Sequence, residues 1–210
     1  GHRNDVQVTG DYYTKDSRMD MKLGLSQLNL ATLKPFASSR VKDIRGFLKG
    51  NLALKGTPDQ PILNGNLHFD NALIVPEISG EPLLLSKDNI EFDQDGFNFS
   101  EFALQDSAGN KATLDGNVFT KDYRDYRFDL FLNAHNFRLV NAPQGSDRLF
   151  YGALNMDASI SLSGDMNTPK MEGDVRVNKK TNFTFVLPED NPEIVDREGV
   201  VRFIDKNHPS

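Results

Sequence analysis

Apolar and polar side chains alternate along most of this chain, the mark of β-strands with one face buried and the other wet, because successive side chains point to opposite sides of a sheet. Val6, Val8, Gly10 and Tyr12 are followed, after the polar stretch Thr14-Lys15-Asp16-Ser17, by Met19, Met21, Leu23 and Leu25, a pattern that predicts a hairpin. Leu48, Leu52 and Leu54, then Leu63, Leu67 and Phe69, predict two further strands. The alternation resumes in Ala112, Leu114, Gly116 and Val118, in Tyr126 to Ala134, in Leu154 to Leu162, and in Met171, Val175 and Val177. Phe183, Phe185 and Leu187, then Val201 and Phe203, close the series.

Three interruptions carry information. Phe97 and Phe99 are in step with each other but Phe102 and Leu104 are not, which predicts a bulge or a crossing to the other face between Phe99 and Phe102. Asp106-Ser107-Ala108-Gly109-Asn110 has the residues of a tight turn and predicts a second hairpin. Between Asn29 and Ser39, Leu30, Leu33, Phe36 and Ala37 recur at helical spacing, while Pro35 limits the helix to a turn or two. The chain also echoes itself: Gly56 to Gly65 aligns without gaps on Gly164 to Gly173, each reading G-x-x-x-x-P-x-x-x-G between alternating strands. Such spacing suits a stacked β architecture, with repeat-like units near residues 45–76 and 152–188.

The 210 residues suffice for one large or two small β domains, and 38% apolar residues with fifteen Phe argue for a folded core. Net charge −6 with scattered Lys and Arg gives no footprint for nucleic acid. Without cysteine there is no disulfide, thiolate nucleophile or Cys-ligated zinc. No stretch approaches the roughly 20 apolar residues of a membrane-spanning helix. Gly1-His2 reads as an expression scar and the whole as a segment of a longer chain, whose signal or anchor would lie outside it.

Catalytic signatures are missing as well. His2, His68, His135 and His208 stand far apart, and His68 and His135 read as outward-facing strand residues. There is no G-x-S-x-G elbow and no Gly-rich phosphate loop. Asp93-Gln94-Asp95-Gly96 lacks the ligands of a calcium loop and reads as a hairpin turn. Asn98-Phe99-Ser100 and Asn182-Phe183-Thr184 fit a glycosylation pattern too short to weigh. The expectation is a non-catalytic protein without metal or cofactor. What remains is a long array of apolar side chains, either the core of a closed sandwich or barrel or the lining of an open apolar trough.

Arg45-Gly46-Phe47-Leu48-Lys49-Gly50-Asn51-Leu52-Ala53-Leu54-Lys55-Gly56-Thr57, with Pro61 and Leu63-Asn64-Gly65-Asn66-Leu67 after it, resembles the G-x-L-x-L-x-G-T-x-x-x-P-x-L-x-G-x-L element of the TamB and AsmA-like superfamily. Leu104 to Gly116 is similar to the D-x-x-G-N-x-A-x-L-x-G strand pair of the TamB C-terminal region, and Phe203-Ile204-Asp205 resembles its V-x-F-x-D strand, especially in Bacteroidetes-like versions. The resemblance implies an all-β, elongated, folded-over (taco-like) sheet or β-solenoid with an apolar interior, a single groove segment over residues 1–210. It also implies a periplasmic location, an inner-membrane anchor on the full-length protein, phospholipid acyl chains as cargo and an Omp85-type outer-membrane barrel as partner.

Parity then assigns the trough. Leu52, Leu54, Leu67, Phe69 and Phe92 are expected to face it, with Leu114, Val118, Phe128, Leu130 and Leu132, and with Ile160, Leu162, Val175 and Phe185. Two alternatives stand beside this reading. One is a scaffold that binds outer-membrane β-proteins through exposed strand edges without lipid, and the other is a closed structural sandwich.

Overall fold

The computed structural model describes residues 4–37, 39–85, 88–145 and 149–186. The sequence readings at His2, Leu187, Val201, Phe203-Ile204-Asp205 and His208 lie outside the described residues. Twelve strands among those described form one antiparallel sheet: β1 (Asp5–Tyr13), β2 (Arg18–Asn29), β3 (Val41–Thr57), β4 (Gln60–Pro76), β5 (Leu83–Leu85), β6 (Asn89–Asp93), β7 (Gly96–Gln105), β8 (Lys111–Phe119), β9 (Arg127–Ala142), β10 (Phe150–Asp165), β11 (Lys170–Val177) and β12 (Asn182–Phe185). Neighbours in sequence are neighbours in the sheet, with two exceptions. β5 and β6 share the place between β4 and β7, and β11 and β12 both lie along β10. The all-β expectation holds, in the form of a single antiparallel sheet rather than a solenoid or a pair of facing sheets.

The predicted hairpins form at 14–17 and 106–110. Both copies of the G-x-x-x-x-P-x-x-x-G echo are hairpin connections, between β3 and β4 and between β10 and β11. The short helix is a 3-10 helix, Leu30–Phe36, whose first free N–H, on Ala31, donates to the side chain of Asn29 at 3.0 Å.

A line of irregularities crosses the sheet nearer to one end of the strands. On β7 the predicted break falls between Phe99 and Phe102, where Glu101 adopts φ 49°. Asn71 on β4 and Asn136 on β9 do the same at φ 48°, each three residues of chain forming apolar–polar–left-handed before the next apolar residue. Gly46 on β3 lies opposite Asn71. The line continues at the turn between β11 and β12. An extra residue in one strand bends it and sharpens its twist, so a row of such residues makes a crease.

Aspartates hold the crease. The Glu101 N–H donates to Asp115 Oδ1 of β8 at 2.7 Å, and the Asn136 N–H donates to Asp157 Oδ1 of β10 at 2.7 Å. The Ala103 N–H donates to Asp88 Oδ1 at 2.7 Å. These carboxylates accept donors that the bulge removes from the ladder, which would otherwise be left unpaired. The buried residues collect beside the crease. One cluster holds Ala112, Ala134, Phe137, Met156 and Ala158, and the other holds Leu30, Ala72, Leu85 and Phe102.

Away from the crease the walls also curl. Gly65 (φ +136°) and Gly116 (φ +117°) occupy inward positions where a Cβ would stand 2.1 Å from Asn51 O and Asp129 O respectively. Only glycine tolerates that backbone and that approach.

The 106–110 turn is built on one carboxylate. Asp106 Oδ1 accepts the N–H groups of Ala108 and Asn110 at 2.9 and 2.8 Å. Its Oδ2 accepts the Asn110 side-chain amide at 2.9 Å and the Arg138 N–H of β9 at 2.8 Å. Burial pushes the Asp106 carboxyl up, but the donors from Asn110, Arg138 and Ala108 outweigh it and hold the group below its ordinary 3.8. Asp157 is lowered too, chiefly by the Asn136 N–H. Groups depressed in the folded state stabilise it above their unfolded value and lose that effect as pH falls through the folded one. Stability, read from urea midpoints, is therefore expected to fall as pH drops below about 3.8. Asp106→Ala should cost about 3 kcal/mol at neutral pH and flatten that acid dependence.

Candidate functional site

The pairing register lines the apolar residues into rows that run across the strands. One row passes from Val8 through Leu23, Leu52, Gly65, Phe92, Phe97, Val118 and Phe128 to Gly164. The next passes from Leu25 through Gly50, Leu67, Ile90, Phe99, Gly116, Leu130 and Leu162 to Met171. Nearer the crease, Phe102, Leu114, Leu132, Ile160 and Gly173 are in line, then Leu104, Ala112, Ala134, Ala158 and Val175. Leu54 stands between Met21 and Leu63, Phe69 opposite Leu48, and Phe185 opposite Phe150. All fourteen residues named from the sequence are thus on one face of one sheet.

Their burial is graded. Leu52 and Val118 are buried, while Leu54, Leu67, Phe69, Phe92, Leu114, Phe128, Leu130, Leu132, Ile160 and Leu162 are half-buried. Val175 on β11 and Phe185 on β12 are exposed, and so is Val8 on β1 at the opposite edge, at 63%. A closed core would bury such residues almost completely. Ring contacts bind the middle of the face: Phe92 to Phe97, Phe97 to Phe99, Phe99 to Phe102 and Phe69 to Phe102, with centroids 5.2–6.0 Å apart.

The opposite face is polar along the matching row, from Gln7 and Gly24 through Asn51, Asn66, Glu91, Asn98 and Asn117 to Asp129, Ser163 and Lys170. The Asn98 side-chain amide donates to Asn117 Oδ1 at 2.9 Å and to Gly116 O at 3.2 Å, so part of this row is tied laterally. His135 lies on the outer side, highly exposed, with Nδ1 2.9 Å from Asp157 Oδ1. Asp93 Oδ1 accepts the N–H groups of Asp95 and Gly96, which makes 93–96 a turn. Among the described residues no group of three or more His, Asp or Glu side chains is gathered to hold a metal ion.

The sequence reading left out several residues of the same face. Ile90, Phe97 and Phe99 extend its middle, and Val6 and Val8 its edge. Phe137 lies past the Asn136 bulge of β9, where simple parity fails, and Met156 stands opposite it on β10, in step with Ala158 and Ile160. The signal was present: Ala134 to Phe137 has the same three-residue apolar spacing as Phe99 to Phe102, and so has Phe69 to Ala72.

A family model described as the TamB C-terminal domain matches residues 100–210, just over half of the chain. The chain belongs to the TamB family. No curated protein and no solved structure matches it. The matched part of this TamB chain begins within β7, at the bulge, and the apolar rows continue without a break into β1–β6.

Burial separates two parts of the apolar face. Phe102→Asp, beside the crease, is expected to unfold the protein, because a carboxylate there would be buried without a partner. Leu130→Asp keeps its charge in reach of water and should leave the far-ultraviolet circular dichroism unchanged, with a loss of about 1 kcal/mol or less in urea.

Proposed function

We propose that this TamB chain is a non-catalytic periplasmic segment whose apolar face shields phospholipid acyl chains and conducts them between the inner and outer membranes, in support of outer-membrane protein assembly. The observation that carries this reading is the half-exposed state of rows that run uninterrupted across the sheet. On β3 the wall from Phe47 to Thr57 extends about 35 Å at roughly 3.3 Å per residue. That exceeds the roughly 15 Å hydrocarbon depth of one leaflet, half of a bilayer core. An acyl chain removed from water gains about 0.8 kcal/mol per methylene, so a dozen methylenes supply roughly 10 kcal/mol with no directional contact required. The turns after β1, β3, β6, β8 and β10, with their exposed aspartates, leave headgroups in water.

In this reading the full-length protein is anchored in the inner membrane and meets an Omp85-type barrel at the outer one, and nucleic acid is not a partner. The one described helix has seven residues, and none is long and apolar enough to cross a membrane. A second reading has its own observation: β1 is exposed along its whole length and, among the described residues, pairs on one side only, which suits addition of a strand from a client protein.

Native mass spectrometry of the purified protein, with extraction and analysis of whatever lipid accompanies it, tests both. Co-purifying phospholipid that is lost in the folded Leu130→Asp variant is the expected result. An apo mass together with no uptake of a fluorescent acyl probe would sink the conduit. A proline in β1 should leave lipid loading intact and abolish strand addition, so loss of client binding in that variant alone favours the edge-pairing scaffold.

A further inference from the structure

The internal echo of the sequence is also an echo in strand pairing. Leu52 opposite Gly65 on β3 and β4 corresponds to Ile160 opposite Gly173 on β10 and β11, and Leu54 opposite Leu63 corresponds to Leu162 opposite Met171. The two hairpins differ at their next edge. β4 carries β6 there, with Gly65 opposite Phe92, Asn66 opposite Glu91, Leu67 opposite Ile90 and His68 opposite Asn89. The equivalent edge of β11, at Gly173, Asp174, Val175 and Arg176, has no partner strand among the described residues, and β11 is exposed throughout.

β1 has the pattern that this edge lacks. Asp5-Val6-Gln7-Val8 alternates polar and apolar residues as Asn89-Ile90-Glu91-Phe92 does. Among the described residues β1 pairs with β2 alone. Its direction fits as well. An odd number of steps, all antiparallel, leads across the sheet from β1 through β6 to β11, so β1 runs opposite to β11.

Laying β1 of another copy along β11 as β6 lies along β4 sets Val8 opposite Gly173, Val6 opposite Val175 and Gly10 opposite Met171. Each of these positions belongs to the apolar face of its own sheet. On the polar face Asp5 then meets Arg176 and Asp11 meets Lys170, while the uncharged Gln7 and Thr9 meet Asp174 and Glu172. Asp11 gains most, because within its own chain it stands opposite Asp20. A slip of one residue sets apolar side chains against the polar face. A slip of two brings Asp5 onto Asp174 in one direction and Asp11 onto Glu172 in the other, and like charges directly opposite destabilise a pair. One register satisfies both the faces and the charges.

We infer that β1 of one copy adds to β11 of a second copy of this chain in that register. The two edges differ, so the contact is head-to-tail and each added copy presents a new edge. Val6, Val8, Val175 and Met171, 44–70% exposed, become neighbours across the joint, and the apolar face continues from copy to copy. This contact is independent of the shielding of acyl chains. It takes both β1 and β11, whereas addition of a client strand takes β1 alone.

The chain has no cysteine, so single thiols test the register. Gln7→Cys and Asp174→Cys chains, purified separately and mixed under mild oxidation, should form a disulfide-linked dimer, since directly opposite residues lie within the Cα range of that bond. Glu172→Cys or Arg176→Cys in place of Asp174→Cys, displaced by two residues, should give at most about a tenth of that yield. Sedimentation velocity of the unmodified chain should show a mass that rises with concentration. Asp11→Lys should weaken this association about threefold, and Lys170→Asp added to the same chain should restore it. All of these side chains are exposed on edge strands, so the variants should fold as the parent does. Leu130→Asp should associate like the parent, which separates failure of the conduit from failure of this contact. Equal yields in the three mixtures, or a single-chain mass at every concentration with no disulfide, would overturn the assignment. So would a Gln7→Cys/Asp174→Cys chain that closes on itself, which would give the two edges to each other within one molecule.

Discussion

A strand keeps its side chains on fixed faces only while it pairs one to one with its neighbour, and in this sheet a line of left-handed residues on β4, β7 and β9 interrupts that pairing. At Asn71, Glu101 and Asn136 one extra residue is absorbed in a left-handed conformation. Each costs about 1–2 kcal/mol for a residue with a Cβ. Were that residue an ordinary extended member of the strand, everything beyond it would change faces, and Ala72, Phe102 and Phe137 would point to water instead of into the two buried clusters. The cost is offset by the burial of those neighbours and by the aspartates of adjacent strands. Asp115 and Asp157 accept the displaced N–H groups, and Asn178 adds its side-chain amide to Asn136 Oδ1 at 3.3 Å and to Asp157 Oδ1 at 3.4 Å. The turn between β11 and β12 falls on the same line, while β8 and β10 cross it in regular register and supply Asp115 and Asp157 as acceptors.

The crease divides the labour of the apolar side chains. Those beside it are packed on several sides and hold the sheet in shape. Those farther out are supported from below and laterally but not from above, and they remain half in water. In a protein selected only for stability such rows would be covered by a second layer, since each half-exposed Leu or Phe forgoes part of the 1.5–3 kcal/mol that full burial supplies. Leaving them uncovered is a standing cost that a ligand of low polarity removes, which is the physical basis of the conduit reading.

Much of this was legible in the sequence, and the limits of legibility follow from the same crease. Alternation fixes the relative facing of side chains within an uninterrupted strand, so Leu130, Leu132 and Leu54 could be assigned from spacing alone. It also exposed the Phe99 to Phe102 slip, because four aromatic or aliphatic residues flank it closely. The corresponding slips at Ala72 and Phe137 were harder to see, since alanine and a single Phe give a weaker signal than a run of Phe. β5, with three residues, is too short to alternate at all. The contact from Ser79 to Asn141 joins residues far apart in the chain, and no local pattern encodes it. The 3-10 helix was legible from Leu30, Leu33, Phe36 and Pro35, but not the fact that only its first leucine is buried.

The same distinction explains why the family's motif carries no chemistry. In the stretch from Asp106 to Gly116 the recognisable positions are those with geometric duties: Asp106 gathers four N–H donors, Asn110 supplies two of them, and Gly116 permits the approach of Asp129 O. Ala112 and Leu114, between them, need only be apolar and of suitable bulk, because burial of apolar area makes no directional demand. A surface of this kind tolerates exchange among Leu, Ile, Val and Phe, yet fails on a charge or on a one-residue slip that turns a strand over. Its recognisable sequence therefore concentrates in turns, bulges and glycines, and the working surface is defined by what those features hold in register.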